Sequence, residues 1–212
     1  MKYGTHNSLT YAKLVWWQRP FAWLINPFCR CQDKDITAQV KSDVVAFDIQ
    51  IALYKDAWKA SHGIAWYDVD VIPMLEYLDR LAYSLNTRFA IRIGLDRHFF
   101  RTKKKRGEER IRFDEVIDFV MVTLKNLRPL GVYVEYSECK ALEEFQQRYM
   151  EQRYWSLSFA KDKAKQTRGI WKYLYFLPIP RLWAKKYRNE WEAKAILDNK
   201  KIFMTDFISI LC

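Results

Sequence analysis

The chain has 212 residues, half of them apolar and 17% aromatic, with a formal net charge of +11. That length suits one domain with a sizeable core and reaches the lower end of the usual range for an eight-stranded α/β barrel, while the hydrophobic share excludes a disordered chain. No run of about 18 uncharged apolar residues is present to span a bilayer, so a soluble or peripheral protein is expected, and the positive charge points to anionic partners without choosing among them.

The first predicted strand begins almost at Met1 and leads into Tyr3-Gly4-Thr5-His6-Asn7-Ser8. This start lacks the charged segment, apolar stretch and small-residue cleavage site of a secretory signal, which predicts a cytoplasmic location. An aromatic insertion follows, in which Trp16, Trp17, Phe21, Trp23, Leu24 and Phe28 are interleaved with Lys13, Arg19 and Arg30. Indole rings among cations suit the headgroup level of an anionic membrane, with Trp16, Trp17 and Trp23 as the expected contacts; a helix packed across a barrel rim accounts for the pattern equally well. Cys29 and Cys31 lack the spacing of a zinc knuckle and, with Cys139 and Cys212, read as ordinary thiols.

Val44 to Tyr54 is the second predicted strand, and its alternation sets Val45, Phe47, Ile49 and Ile51 on one face with Asp48 and Gln50 on the other. His62 follows in Ala60-Ser61-His62-Gly63, about one βα unit after His6. Val71, Leu75, Leu78, Leu81 and Leu85 recur at helical spacing behind Asp70 as an N-cap. Phe89 to Asp96 reads as a strand that groups Arg92, Gly94 and Asp96 opposite Ile91, Ile93 and Leu95. Lys103, Lys104, Lys105 and Arg106 read as a solvated loop, with His98 an ordinary polar residue before it. Ile117, Val120, Leu124 and Leu127 predict a helix capped by Asp114, Gly131 to Ser137 a strand, and Ile202 to Ile208 the closing strand. The helical signal is weak from Leu142 to Asn199. With no repeat or flexible linker, residues 1–212 read as one domain, and strand followed by helix several times over predicts a (β/α) TIM-type barrel that is irregular in its C-terminal half.

Alternation aims His6, Asp48, His62, Asp96 and Asp206 inward from five strands. Polar side chains inside a barrel are costly unless paired, and near the C-terminal strand ends they more often belong to an active site. The Gly-Thr-His-Asn-Ser start, the Phe-Asp-Ile-x-Ile second strand, the His-Gly after the third strand and the late x-Asp-Phe strand resemble the phosphatidylinositol-specific phospholipase C superfamily, densely from Tyr3 to Gly63 and sparsely beyond.

The resemblance implies cleavage of a phosphodiester in a phosphatidylinositol-type lipid or a small relative. His6 would be the general base on the inositol 2-hydroxyl, His62 the general acid toward the diacylglycerol oxygen, and Asp206 the partner that orients His6. The product would be a cyclic phosphate. Imidazole suits both roles because its unperturbed pKa of about 6.5 keeps both protonation states accessible near neutrality. The resemblance also implies Asn7, Asp48 and Asp96 as oxygen ligands of a divalent cation, calcium ahead of magnesium, since calcium-dependent relatives carry Asn where metal-independent ones carry Asp; metal-free chemistry is the other outcome. Gln50 departs from both patterns, which have Arg or an acid there. It is expected near the substrate as a neutral ligand or hydrogen-bond donor, and Gln50, Arg92 and Glu135 make up the expected substrate-binding set, with Arg92 paired to Glu135 as the alternative to substrate contact. Glycerophosphodiester phosphodiesterases and phospholipase D-type enzymes of the same superfamily are the nearest alternative, and a catalytically silent barrel that binds a membrane or protein is the next. Nucleic acid is not an expected partner, since charge alone suggests it and no zinc finger or glycine-rich phosphate loop accompanies the charge.

Overall fold

In the computed structural model, the described residues are 2–96, 103–133, 149–151, 166, 168–170, 173 and 180–205. The strands are β1 (Lys2–Thr5), β2 (Val44–Tyr54), β3 (Ala57–His62), β4 (Ala65–Asp70), β5 (Phe89–Leu95), β6 (Leu127–Tyr133), β7 (Tyr149–Glu151) and β8 (Ile202–Thr205). Six of them run parallel in the order β6-β5-β2-β1-β8-β7. The first strand therefore pairs with the last described one as well as with the second, which is the sequential order of a (β/α) barrel. Among the described residues no ladder joins β6 to β7, so the described sheet is open there.

The alternation along β2 and β5 separates two environments. Phe47, Ile49, Ile51, Ile91 and Ile93 face outward into the main core, where they meet Leu75, Leu78 and Ala82 of α3 (Val71–Ser84) and Phe113, Val116 and Val120 of α4 (Lys103–Thr123). Each such aliphatic or aromatic side chain contributes about 1.5–3 kcal/mol by leaving water. The other face carries the small residues Ala46 and Ala90, packed with Met204 of β8, and further along the strands it carries Asp48 and Arg92. The polar interior positions thus lie above a plug of small side chains.

Several expectations are corrected. The segment after β2 is not a βα unit: β2, β3 and β4 form an antiparallel meander, with Ile51 opposite Ala60 and Ser61 opposite Trp66. The basic run from Lys103 opens α4 and is not a loop, which leaves Asp114 in mid-helix, and Leu127 begins β6. Lys, Arg and Glu are strong helix formers, so propensity extends α4 upstream of its apolar stripe. The weakly patterned stretch before Asn199 contains an 18-residue helix, α5 (Pro180–Leu197), opened by a proline at the first position, where the missing N–H costs nothing. Asp70 stands at the N-cap position of α3 but makes no capping bond; its carboxylate meets Lys59 Nζ at 3.2 Å.

Candidate active site

His6 follows the last residue of β1, at the C-terminal end of the parallel strands. Its amide donates to the Thr205 carbonyl at 3.0 Å, which extends the β1–β8 ladder by one residue. Asn7 then turns the chain with φ +48, a left-handed conformation that Asn tolerates better than most residues. The Ser8 amide donates to the Asp48 carbonyl at 2.7 Å, which fastens the turn to β2. Two buried amide side chains complete the support. Gln32 Nε2 donates to the carbonyls of His6 and Thr205 at 2.9 and 3.0 Å, and Gln39 accepts from Thr5 Oγ1 at 2.7 Å while donating to the Ser8 carbonyl at 2.9 Å. The segment carrying both comes just after α1 (Ala22–Cys29), and Gln39 sits on α2 (Ile36–Lys41).

His6 Nδ1 forms a short hydrogen bond with Asp48 Oδ2. A carboxylate there accepts, so Nδ1 carries the proton and Nε2 the lone pair, toward which Asn7 Nδ2 donates at 3.0 Å. Asp48 also accepts from Arg92 Nε at 2.8 Å and Nη2 at 2.6 Å. Asp48 has no exposed surface, and Arg92 and His6 retain 1% and 3%. Burial alone would push the Asp48 carboxyl up; the Arg92 guanidinium and the His6 ring beside it outweigh burial and hold it well below the usual carboxylate range.

His62 is the last residue of β3, and Gly63, with φ +65, makes the turn into β4 that an L side chain would strain. His62 Nδ1 donates to the Cys29 carbonyl at 2.7 Å, so Nε2 is the nitrogen that exchanges its proton in this ring too. Cys31 Sγ lies 3.6 Å from His62 Nδ1 and 3.5 Å from Asn7 Nδ2. The two imidazoles stand edge to face, with centroids 6.2 Å apart. Asn7 Oδ1 is buried with no hydrogen-bond partner among the described residues.

The remaining expected residues divide. Gln50 is half-buried two positions beyond Asp48, opposite Gly94. Asp96 accepts from Ser61 Oγ at 3.0 Å, on the residue that precedes His62 in β3. Asp206, expected to orient His6, and Glu135, expected near Arg92, lie outside the described residues. Asp48 is paired with His6 Nδ1 and with Arg92.

The expected cation trio does not fit this arrangement. Both oxygens of Asp48 are engaged by Arg92 and His6, and a cation there would have to displace a guanidinium. Among the described residues no group of three or more His, Cys, Asp and Glu is placed to hold a metal ion. Gln32, Gln39, Ser61 and Cys31 were not anticipated. Gln and Ser are ordinary surface types, and only their burial against the His6 turn or the second imidazole gives them a role.

Trp16 and Trp23 are 68% and 76% exposed, on the 3-10 helix Trp16–Phe21 and on α1, whereas Trp17 is partly covered by Trp66 with ring centroids 6.1 Å apart. No helix among the described residues is long and apolar enough to cross a membrane.

No family model matches the chain, and no curated protein matches it in sequence. Solved structures do. A phosphatidylinositol-specific phospholipase C from Listeria monocytogenes superposes with a TM-score of 0.55 at 14% identity, covering 99% of this chain and 89% of its own. The phosphatidylinositol-specific phospholipase C from Staphylococcus aureus, in a structure concerned with modulation of its membrane binding, gives 0.54 at 12% identity, covering 97% and 85%. The chain shares the fold of these bacterial proteins over nearly its whole length.

Proposed function

We propose that the chain is a phosphodiesterase of phospholipase C type that cleaves a phosphatidylinositol-type lipid by internal attack, with His6 as base and His62 as acid. The observation that carries this reading is the pair of imidazoles 6.2 Å apart, each tied at Nδ1 by a fixed acceptor, so that one phosphodiester can meet Nε2 of both. His6 Nε2 takes the proton of the hydroxyl neighbouring the phosphate as that oxygen bonds to phosphorus. The bond from phosphorus to the diacylglycerol oxygen breaks, and that oxygen takes a proton from His62 Nε2. One proton enters and one leaves the protein, and the product is a cyclic phosphate.

The fold neighbours are enzymes of this type, which supports the reaction class. The exposed Trp16 and Trp23 support a peripheral contact with an anionic membrane, because α1 ends at Cys29, whose carbonyl holds His62. Phosphorus NMR of phosphatidylinositol vesicles incubated with the protein tests the reading. A cyclic inositol phosphate is expected, with His6→Ala and His62→Ala each lowering the rate by about 10²–10⁴-fold. A phosphatidate-type or open phosphomonoester product transfers the assignment to the phospholipase D or glycerophosphodiester class. Absence of turnover of any phosphodiester ends the enzymatic reading. Run with calcium, magnesium or chelator, the reaction is expected to survive chelation, because Asp48 offers its oxygens to Arg92; a calcium requirement would mean that Asp48 exchanges the guanidinium for the ion.

A further inference from the structure

We propose that Arg92 is a positioning residue: it sets the His6 ring through the Asp48 carboxylate and does not touch the substrate. What His6 does rests on the phosphodiesterase reading above; the geometry does not. Asp48 and Arg92 are direct register partners across the parallel β2–β5 ladder. Nε reaches Oδ1 at 2.8 Å and Nη2 reaches Oδ2 at 2.6 Å, a two-point fork that fixes the plane of the carboxylate as well as its place. The same Oδ2 receives the His6 Nδ1 proton. One oxygen is thus shared by the guanidinium and the imidazole.

An aspartate is free to turn about its last bond, and a ring held at Nδ1 by such a group turns with it. The fork removes that freedom. Burial separates this role from substrate contact. Arg92 is 1% exposed, and a phosphate could reach Nε or Nη2 only by breaking bonds to a carboxylate that has no exposed surface. A guanidinium is needed where a lysine would supply the same charge, because an ammonium fixes a point and not a plane.

The decisive measurement needs no substrate. The His6 Nδ1 proton, buried against a carboxylate, is expected as a strongly downfield resonance in the proton NMR spectrum of the wild-type protein, absent in His6→Ala. In Arg92→Lys, with an unchanged far-UV circular dichroism spectrum, the resonance is expected to move or vanish. An unmoved resonance in Arg92→Lys, or none in the wild type, overturns the proposal. Should Arg92→Lys fail to fold, Arg92→Gln, which keeps Asp48 and cannot make the two-point fork, is expected to move or lose the same resonance; an unmoved resonance overturns the proposal equally. On phosphatidylinositol vesicles Arg92→Lys is expected to lower kcat about 100-fold with KM within about twofold, since the ring is misplaced and binding is not. A raised KM with kcat kept would assign Arg92 to the substrate. If wild-type protein turns nothing over, the phosphodiesterase reading falls while the resonance still decides the role of Arg92.

Discussion

Asp48 keeps its charge without any contact with water because two donors converge on it, and removing that charge has separable consequences. In Asp48→Asn an amide replaces the acceptor at His6 Nδ1, and the buried Arg92 loses the carboxylate it forks onto. Breaking one side of a buried pair costs about 3–5 kcal/mol, and a base turned to the wrong tautomer loses about 10⁴-fold in kcat where the same device operates in serine proteases. The expected outcome is a folded but lowered urea midpoint together with near-complete loss of turnover. Asp96→Asn, which weakens the acceptor of the Ser61 bond and leaves the Asp48–Arg92 pair intact, is expected to lower the midpoint less, so comparing the two variants separates the supporting carboxylate from a neighbouring one. The inward aim of Asp48 was legible from alternation in Val45-Ala46-Phe47-Asp48. Its partner was not, because alternation says which face a residue occupies and nothing about which residue of the next strand lies opposite. That Asp48 faces Arg92 is a fact of ladder register.

At the level of elements, the antiparallel β2–β3 turn shows why a hairpin stayed hidden. Tyr54 pairs with Ala57 across a two-residue connection, Lys55-Asp56, in which both residues have positive φ, +46 and +64. Such a connection usually announces itself as Asn-Gly or Asp-Gly; Lys-Asp gives no such signal, and the run into His62 read as part of a parallel repeat. By contrast β2, β5 and α3 were legible almost to the residue, since long apolar runs and a stripe at helical spacing are set by burial. The 3-10 helix is held to the same meander: Gln18 Oε1 accepts from the Trp66 amide at 2.9 Å, and Gln18 Nε2 donates to the Ile64 carbonyl at 2.7 Å. This divides the tryptophans by consequence. Trp16→Ala/Trp23→Ala removes exposed rings only, so stability is expected within about 0.5 kcal/mol of wild type while sedimentation with anionic vesicles weakens by about tenfold or more. Trp17→Ala loses the contact with Trp66 and is expected to cost about 0.5–1.5 kcal/mol beyond the area it uncovers. Unchanged vesicle binding in the double variant would remove the aromatic insertion from the membrane.

At the level of the whole molecule, the parallel order β6-β5-β2-β1-β8-β7 brings residues from the first fifty positions and from the end of the chain to one rim, and the fold withdraws several neutral acids from water. Burial pushes the Cys29 thiol up to about 11 and the Tyr11 hydroxyl up to about 12, and it raises Tyr67 well above its ordinary value, with the nearby Cys29, Cys31 and Asp96 adding to the effect at Tyr67. In the unfolded chain the thiol loses its proton near 9.0 and the tyrosines near 10.0. Between those values and the folded ones the unfolded state holds fewer protons than the native state, so unfolding releases protons and stability falls as pH rises. These groups contribute fully below about pH 9, and the contribution is lost progressively on the way to pH 12. The urea midpoint is therefore expected to drop between pH 8 and pH 10.5 at constant denaturant slope, and to drop less in Tyr11→Phe, which cannot ionise. A midpoint that stays level over that range would mean that water reaches these side chains in the folded protein, and that the rim carrying His6 and His62 is looser than its hydrogen bonds require.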